Sequence, residues 1–338
     1  EWFTVNVVAA PVASISYAGS PYCSSDAIAP VSVTGSLGGS FSCASIGLSL
    51  NTTTGSIDPG NSMPGTYVVT YAIPTANGCA AFSTTTSVTI AAQPTATFSY
   101  AGSPYCNNEG VQSPAFAGTT GGVFASAPAG LALDASTGVV NPGSSAALST
   151  GTTYTVTYTI NATAACPQLV ASTNVTVTSA PWSGTGGSLT ICSNAAPAQL
   201  VVNGTPAPGG TWTDPSNVVH GNTYDPTIDA PGNYTYTVAG GPGCSDHSSV
   251  VIVTETPMPN ASIVYAGSPY CDVGTATVTI TGTMGGSFPP IAGLALNTST
   301  GAINLNTSSP GTYSVVYSIP ASNTCPAFTA SAPITIHA

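Results

Sequence analysis

The cysteines are the residues of this chain whose spacing most clearly suggests chemistry. Nine are present, and eight of them follow one rule, an early and a late cysteine in each of four sequence repeats. The pairs, each 52 to 60 residues apart, are Cys23 and Cys79, Cys106 and Cys166, Cys192 and Cys244, and Cys271 and Cys325. This regular spacing, without the close Cys or His pairs of a metal site, predicts one disulfide inside each repeat. Each would join the start of its repeat to the last hairpin of that repeat and stabilise the repeat by about 4 kcal/mol.

Cys43 is the ninth cysteine and has no counterpart in the other repeats, where Ser126 and roughly Pro290 occupy its place. An unmatched cysteine in a disulfide-rich chain is either a free thiol, here expected in a loop, or one half of an intermolecular disulfide. The sequence leaves both interpretations open.

Catalytic chemistry has few candidates, because the chain contains only three histidines. Ser245, Asp246 and His247 are the residue types of a catalytic triad, but they are adjacent in sequence, and consecutive residues of a strand point to opposite faces. We therefore predict that the chain is not an enzyme and needs no cofactor.

Three carboxylates in the third repeat, Asp214, Asp225 and Asp229, are the only candidates for a metal site. Calcium prefers such oxygen ligands. Asp214 and Asp225 each precede a proline, however, which is typical of a turn. Structural turns and a weak calcium site are the two interpretations.

Aromatic residues recur at fixed places. The phrase Tyr-Ala-Gly-Ser-Pro-Tyr-Cys occurs three times, over residues 17–23, 100–106 and 265–271. Its tyrosines flank a Gly-Ser-Pro turn and suit either packing at the end of a domain or binding of a ligand. Trp212 aligns with Phe41, Phe124 and Phe288, so it is expected in a core rather than as a sugar platform. Trp2 and Trp182 are placed to pack near repeat junctions.

The recurring phrase marks a tandem array of four repeats, over residues 11–92, 93–180, 181–256 and 257–338. Repeats one, two and four share a Gly-Gly-x-Phe motif and a hairpin signal, as in Leu50-Asn51-Thr-Thr-Thr-Gly-Ser-Ile57. The third repeat is divergent, with Gly-Gly-Thr-Trp in place of Gly-Gly-x-Phe. Residues 153–160 alternate Thr with Tyr, Val or Ile, the period-two pattern of a half-buried antiparallel strand. Short strands with turn signals every eight to twelve residues predict an all-β array of four immunoglobulin-like β-sandwiches.

Residues 1–10 resemble the end of the first repeat, since Thr4-Val-Asn-Val-Val8 matches Ser87-Val-Thr-Ile-Ala91. They are expected to be the last strand of a preceding repeat in a longer array, or a strand donated to a neighbouring subunit. The fourth repeat keeps its own last strand, Pro333-Ile-Thr-Ile336, which disfavours donation.

Composition excludes several classes of function. The chain has no Lys or Arg and a formal net charge of −11, so it has no basic surface to neutralise nucleic-acid phosphates or to hold an anionic membrane. No apolar run reaches the length of a transmembrane helix. Ser, Thr, Gly and Val favour strands and turns.

These residues resemble the immunoglobulin-like repeats of very large secreted surface proteins of Bacteroidota. The similarity rests on the Tyr-Ala-Gly-Ser-Pro-Tyr-Cys phrase, the hairpin signal and the Gly-Thr-Tyr strand motif, and it covers nearly the whole chain. It implies export by the type IX pathway, a role in adhesion, gliding or an extracellular fibre, and no catalytic residues.

The sequence therefore predicts a non-enzymatic, adhesive or structural segment of a long extracellular or cell-surface protein. Its expected partners are neighbouring repeats or copies of itself in a fibre, with surface glycans as a further candidate. Two alternatives stay open, an array of polysaccharide-binding modules and an accessory region of a secreted hydrolase.

Overall fold

Strands and turns form nearly all the regular structure of this protein, whose computed structural model describes residues 2–4 and 7–338. The chain divides into two units, residues 1–180 with 241–244, and residues 181–240 with 245–338. Each unit contains the sheets of two sequence repeats. The all-β class with tandem immunoglobulin-like sandwiches is confirmed.

The first repeat places six strands in two sheets. These strands are β1 (Ala13–Ser16), β2 (Tyr22–Cys23), β3 (Ser32–Gly35), β4 (Ser40–Cys43), β5 (Gly65–Ile73) and β6 (Phe82–Ala91). One sheet pairs β1 with β3, and the other has the order β2-β6-β5-β4. All pairs are antiparallel except β2 with β6, which run parallel with Tyr22 opposite Ile90 and Cys23 opposite Ala91.

The second repeat reproduces this arrangement. Its strands are β7 (Ala96–Ser99), β8 (Tyr105–Cys106), β9 (Ala115–Gly118), β10 (Val123–Ala127), β11 (Thr152–Ile160) and β12 (Leu169–Thr178). Strand β8 runs parallel to the end of β12, with Cys106 opposite Thr178. The predicted alternation of residues 153–160 is confirmed, because Tyr154, Val156 and Tyr158 are buried in the core while Thr153 and Thr155 are exposed.

The third repeat has a larger main sheet. Its strands are β13 (Gly187–Cys192), β14 (Ala198–Gln199), β15 (Thr211–Thr213), β16 (Val219–His220), β17 (Thr223–Tyr224), β18 (Gly232–Val238) and β19 (His247–Thr256). The main sheet has the order β13-β19-β18-β15-β16, and β14 pairs with β17. Residues 241–244, in the loop between β18 and β19, belong to the first unit.

The fourth repeat returns to the first pattern. Its strands are β20 (Ala261–Val264), β21 (Tyr270–Cys271), β22 (Thr275–Ala276), β23 (Thr279–Gly282), β24 (Ile303–Asn304), β25 (Gly311–Ile319) and β26 (Phe328–His337). Strand β21 runs parallel to the end of β26, with Cys271 opposite His337. Short 3-10 turns at Pro59–Asn61, Pro142–Ser144 and Leu305–Thr307 precede the long strands of repeats one, two and four.

Each repeat has its own hydrophobic core. The four clusters of buried residues are centred on Tyr71 and Val69, on Tyr158 and Val156, on Trp212 and Tyr234, and on Tyr317 and Ile334. Four separate clusters are consistent with four sandwiches. The exact domain boundaries stay a prediction.

The hairpin signal forms the predicted turn in the three similar repeats. In the first, Asn51 Oδ1 accepts hydrogen bonds from the amides of Thr53 and Thr54, and Leu50 pairs with Ile57. Gly55 closes this turn with a φ of +72°, a conformation that glycine adopts readily.

Residues 1–10 cannot be assessed as a whole, because Glu1, Val5 and Asn6 lie outside the described residues. Residues 2–4 and 7–10 form no strand with the rest of the described chain. The orphan or donated strand stays a prediction.

Candidate functional site

The disulfides join successive repeats, so the predicted pairing inside each repeat is wrong. The bonds are Cys23–Cys166, Cys106–Cys244 and Cys192–Cys325, with Cα atoms 4.8 to 4.9 Å apart. Each links the early cysteine of one repeat to the late cysteine of the next. Cys79 and Cys271, predicted to be bonded to Cys23 and Cys325, form no disulfide with any described residue.

The strand topology explains this correction. The early Cys23 lies opposite Ala91, the last residue of β6, whereas the late Cys79 precedes the first residue of that strand. Strand β6 has ten residues, so the two ends are about 30 Å apart at roughly 3.3 Å per residue. A disulfide needs Cα atoms within about 7 Å. The two cysteines of one repeat therefore cannot meet.

We call the end of a sandwich where its last strand finishes the trailing end, and the opposite end the leading end. In the first repeat, Cys23 is at the trailing end and Cys79 is at the leading end, in the tip of the β5–β6 hairpin. The trailing end of one repeat is joined to the leading end of the next by its linker. A junction therefore brings an early and a late cysteine together.

The Tyr-Ala-Gly-Ser-Pro-Tyr-Cys phrase fixes the early cysteine at the trailing end. The Tyr17 hydroxyl is buried and donates to the Gly55 carbonyl at 2.6 Å, and the Tyr22 hydroxyl donates to the Ala18 carbonyl at 2.7 Å. The Ser20 hydroxyl accepts from the amide of Thr89 on β6. Equivalent bonds form in the second and fourth repeats. The phrase is thus the predicted packing motif at the end of a domain, and its tyrosine hydroxyls are used internally.

The late cysteine lies against the backbone of the preceding repeat. Cys166 Sγ is 4.0 Å from the Ala91 carbonyl oxygen and 3.5 Å from that of Ala92. Cys325 Sγ has the same neighbours in the third repeat, the carbonyl oxygens of Thr256 and Pro257 at 3.5 and 3.7 Å. Cys244 Sγ lies 3.6 Å from the Thr178 carbonyl oxygen. The junctions are therefore built alike.

A polar residue after each early cysteine completes the junction. The side chains of Ser24, Asn107 and Ser193 accept hydrogen bonds of 2.8 to 3.0 Å from the linker amides of Gln93, Ala180 and Met258. The sequence analysis missed these residues. Their signal is a Ser or Asn directly after the early cysteine, but its meaning depends on the parallel pairing that brings the linker there.

Cys43 has no disulfide partner among the described residues. It ends strand β4 rather than lying in a loop, and its Sγ is 3.5 Å from the Ser45 carbonyl oxygen. Cys43 is neither the early nor the late cysteine of a junction.

The triad residue types do not form a triad. His247 Nδ1 lies 2.7 Å from the hydroxyl of Ser183, which also contacts Ser249. Asp246 instead accepts from the Gly240 amide. Ser183 is completely buried, so its hydroxyl has no access to a substrate. This cluster serves packing.

The three candidate calcium ligands are used in turns. Asp214 accepts from the amides of Ser216 and Val218, and Asp225 accepts from the amide and hydroxyl of Thr227, which lowers the pKa of its carboxyl. Asp229 accepts from the Asp225 amide and pairs with His220 Nε2 at 3.1 Å. Within residues 2–4 and 7–338, no three His, Cys, Asp or Glu side chains are grouped as metal ligands.

The pKa of His220 is shifted by its surroundings in the third repeat. Burial opposes its protonation, but the hydrogen bonds to Asp229 and to the Gly221 carbonyl, together with the charges of Asp229 and Asp214, raise its pKa above the ordinary value.

The aromatic residues line open cavities beside the Gly-Gly motifs. In the second repeat, a cavity of about 500 Å³ is lined by Phe116, Phe124 and Tyr158. Similar positions line cavities in the first repeat, at Phe41 and Tyr71, and in the third, at Trp212 and Tyr236. Trp212 is only 7% exposed, as expected for a core residue.

The other two tryptophans are more exposed than Trp212. Trp182 is half exposed, and its ring lies 4.9 Å from that of His247. Trp2 is fully exposed. Across the described part of the chain, no helix is long and apolar enough to cross a membrane.

Comparisons with known proteins give structural similarity only. No family model matches the chain, and no curated protein matches it. Titin domains I67–I69 cover 73% of the chain and 99% of their own length, with 13% identity and a TM-score of 0.33. The match to Sidekick-1 immunoglobulin domains 1–5 covers 97% of this chain and 80% of the Sidekick-1 chain, with 10% identity and a TM-score of 0.27. The match to Drosophila N-cadherin EC1–4 covers 89% of this chain and 92% of the N-cadherin chain, with 9% identity and a TM-score of 0.25.

Proposed function

We propose that this chain is a non-enzymatic, structural or adhesive segment of a long extracellular surface protein or filament, in which disulfides link successive repeats. The observation that carries the proposal is the pairing of an early cysteine with the late cysteine of the following repeat, three times in one chain. A disulfide within a repeat would stabilise that fold, whereas a disulfide across a junction restrains the motion of one repeat against the next.

The chemistry of the chain supports an extracellular setting. Three disulfides are typical of proteins that fold in an oxidising compartment. The absence of Lys and Arg from the sequence removes the cleavage sites of trypsin-like proteases. The resemblance to repeats of Bacteroidota surface proteins, with export by the type IX pathway, belongs to the same proposal, as does attachment at the cell surface.

Small-angle X-ray scattering of the oxidised and fully reduced chain tests this function. Reduction should broaden the distribution of inter-repeat distances, because the linkers alone then restrain the repeats. The far-ultraviolet circular dichroism should stay that of folded sandwiches, since each core lies within one repeat. An unchanged scattering profile after complete reduction would refute the restraining role.

Polysaccharide binding is a second candidate, favoured by one observation. Aromatic side chains line a comparable open cavity in three of the repeats, and aromatic faces stack on sugar rings. The lining is mainly apolar, and Phe124 and Tyr158 already pack against each other, with ring centroids 4.6 Å apart. A glycan array with the intact chain and a Phe116→Ala variant tests it, and binding that the variant retains in full would exclude this cavity.

A further inference from the structure

Cys79 has the surroundings of a late cysteine at a junction, without the disulfide. Its Sγ lies 3.8 Å from the Val8 carbonyl oxygen and 3.9 Å from that of Ala9. When the first and second repeats are aligned on Tyr17 and Tyr100, Val8 and Ala9 occupy the places of Ala91 and Ala92, which are the neighbours of Cys166. The leading end of the first repeat is therefore one half of a junction.

The hairpin tip that carries Cys79 is open to the surface. A cavity of about 540 Å³ is lined by the hairpin tip from Thr75 to Ala80, including Cys79. In the second repeat the corresponding cysteine, Cys166, is instead only 5% exposed and bonded to Cys23.

Cys271 supplies the opposite half. It lies on β21 opposite His337, as Cys23 lies opposite Ala91 and Cys106 opposite Thr178. Its equivalents are bonded in three junctions, but the thiol of Cys271 is exposed. The trailing end of the fourth repeat thus has the early cysteine in position and no late cysteine bonded to it.

We propose that Cys79 and Cys271 are complementary half-sites that join this chain covalently, head to tail, to further repeats of the same type. Cys79 would bond the early cysteine at the trailing end of a repeat, and Cys271 the late cysteine at the leading end of a repeat. The partner repeat has two possible sources, a second copy of this chain or further repeats of the same polypeptide. The inference rests on the three observed junctions and needs the proposed function only for its biological purpose.

The bond forms by two exchanges with a small-molecule or protein disulfide as the oxidant. The exposed Cys271 thiolate attacks one sulfur of the oxidant, giving a mixed disulfide and releasing one thiolate. The Cys79 thiolate of the partner then attacks the Cys271 sulfur and releases the second thiolate. The two protein thiols together lose two protons and two electrons, and the oxidant is reduced to two thiols.

The two sources differ in one steric respect. The residue after the partner of the early cysteine is Ala92 in the first repeat and Ala338 in the fourth. Ala9 also corresponds to Ala92 in the alignment on Tyr17 and Tyr100. When a second copy is the partner, the last residues of one copy and residues 7–9 of the next compete for the same position beside Cys79. Removing residues 1–9 should therefore favour the joining of two copies.

The test uses full chains carrying Cys43→Ser. Adding Cys271→Ser leaves Cys79 as the one thiol, and adding Cys79→Ser leaves Cys271. The two variants are mixed in the presence of oxidised glutathione and separated by electrophoresis without reductant. The mixture should give at least tenfold more dimer than either variant gives alone. The yield should rise several-fold when residues 1–9 are deleted from the chain that carries Cys79. Circular dichroism checks that each variant is folded.

Native protein, isolated under thiol-blocking conditions and digested with chymotrypsin, identifies the source. A Cys79 peptide bonded to the Cys271 peptide indicates a second copy, and one bonded to a different early-cysteine peptide indicates further repeats. The proposal is overturned if no mixed dimer exceeds the homodimers and both thiols are free in the native protein. This result would leave the scattering test of the proposed function unaffected.

Discussion

The Tyr71 hydroxyl accepts a hydrogen bond of 2.9 Å from the Gly39 amide, and a Cβ atom on Gly39 would lie 2.7 Å from the Tyr71 ring. The same pair recurs as Gly122 with Tyr158 and Gly286 with Tyr317. The second glycine of the Gly-Gly motif is therefore required because a side chain there would clash. The first glycine, Gly38, differs, because it has a positive φ of +93°.

Gly39→Ala should lower the free energy of unfolding of the first repeat by about 2 to 3 kcal/mol, because the new methyl group must displace the ring or the Ala72 carbonyl. Gly38→Ala is the matched control, since its Cβ would meet no atom within 4 Å. It should cost only about 1 kcal/mol, for the left-handed backbone. Urea unfolding measures both, and an equal cost would argue against a steric role for Gly39.

Digestion without reductant should recover peptides that link Cys23 to Cys166, Cys106 to Cys244 and Cys192 to Cys325. Chymotrypsin is suitable, whereas trypsin has no site in a chain without Lys or Arg. The Cys43 peptide should be found alone. A peptide that links Cys23 to Cys79 would contradict the junction model.

Tyr17→Phe should destabilise the first repeat by about 1 to 2 kcal/mol, because it leaves the buried Gly55 carbonyl without its donor. Tyr22→Phe removes a less buried hydroxyl, bonded to the Ala18 carbonyl, and should cost less. Chemical unfolding of the two variants tests the order. A larger loss for Tyr22→Phe would show that the phrase depends on its turn rather than on the buried contact.

Alkaline pH should destabilise the sandwiches. Burial, with a smaller effect of the neighbouring tyrosine, raises the pKa of Tyr17, Tyr100 and Tyr265 to about 12. An unfolded tyrosine ionises near pH 10, so the contribution to stability is complete below about pH 10 and is lost as the pH rises through about 12. Tyrosinate absorbance and unfolding midpoints between pH 8 and 12 should follow each other. A midpoint independent of pH across this window would contradict the prediction.

The His220–Asp229 pair gives the third repeat a dependence of the same direction, but near neutrality. Because the pKa of His220 is raised in the folded chain, its contribution is complete below the unfolded value of about 6.5 and is lost as the pH rises through the folded value. Asp229→Asn should lower the pKa of His220, as followed by NMR of the imidazole. Asp246→Asn, whose carboxylate accepts from Gly240 instead, is the control and should leave the His220 titration unchanged.

Local patterns in the sequence were sufficient to predict the strands. The alternation of residues 153–160 and the turn residues from Asn51 to Gly55 act through neighbouring positions, and both are as predicted. Trp212 was placed in a core by its alignment with three phenylalanines, and it lies there. These features depend on periodicity, which a sequence displays directly.

The disulfide partners were beyond such patterns. The separation of the early and late cysteines is similar in every repeat, as for Cys23 and Cys79, and this suggested a bond between them. The separation along the chain does not show, however, which end of a sandwich each cysteine occupies. The two-residue strand β2 pairs in parallel with the end of β6 and so carries Cys23 to the trailing end. That pairing joins residues 22–23 to residues 90–91, which are far apart in the sequence, so no local pattern predicts it.

The overlapping disulfides also set how far the chain can lengthen under tension. The shortest covalent route from residue 1 to residue 338 crosses from Cys23 to Cys166 and from Cys192 to Cys325. It contains only about 64 residues, with a contour length of roughly 220 Å, whereas a bare chain of 338 residues would reach more than about 1,100 Å. Even complete unfolding of every sandwich would therefore release little extra length between the two ends. In this respect the oxidised array is a nearly inextensible tether, and reduction would turn it into an extensible one.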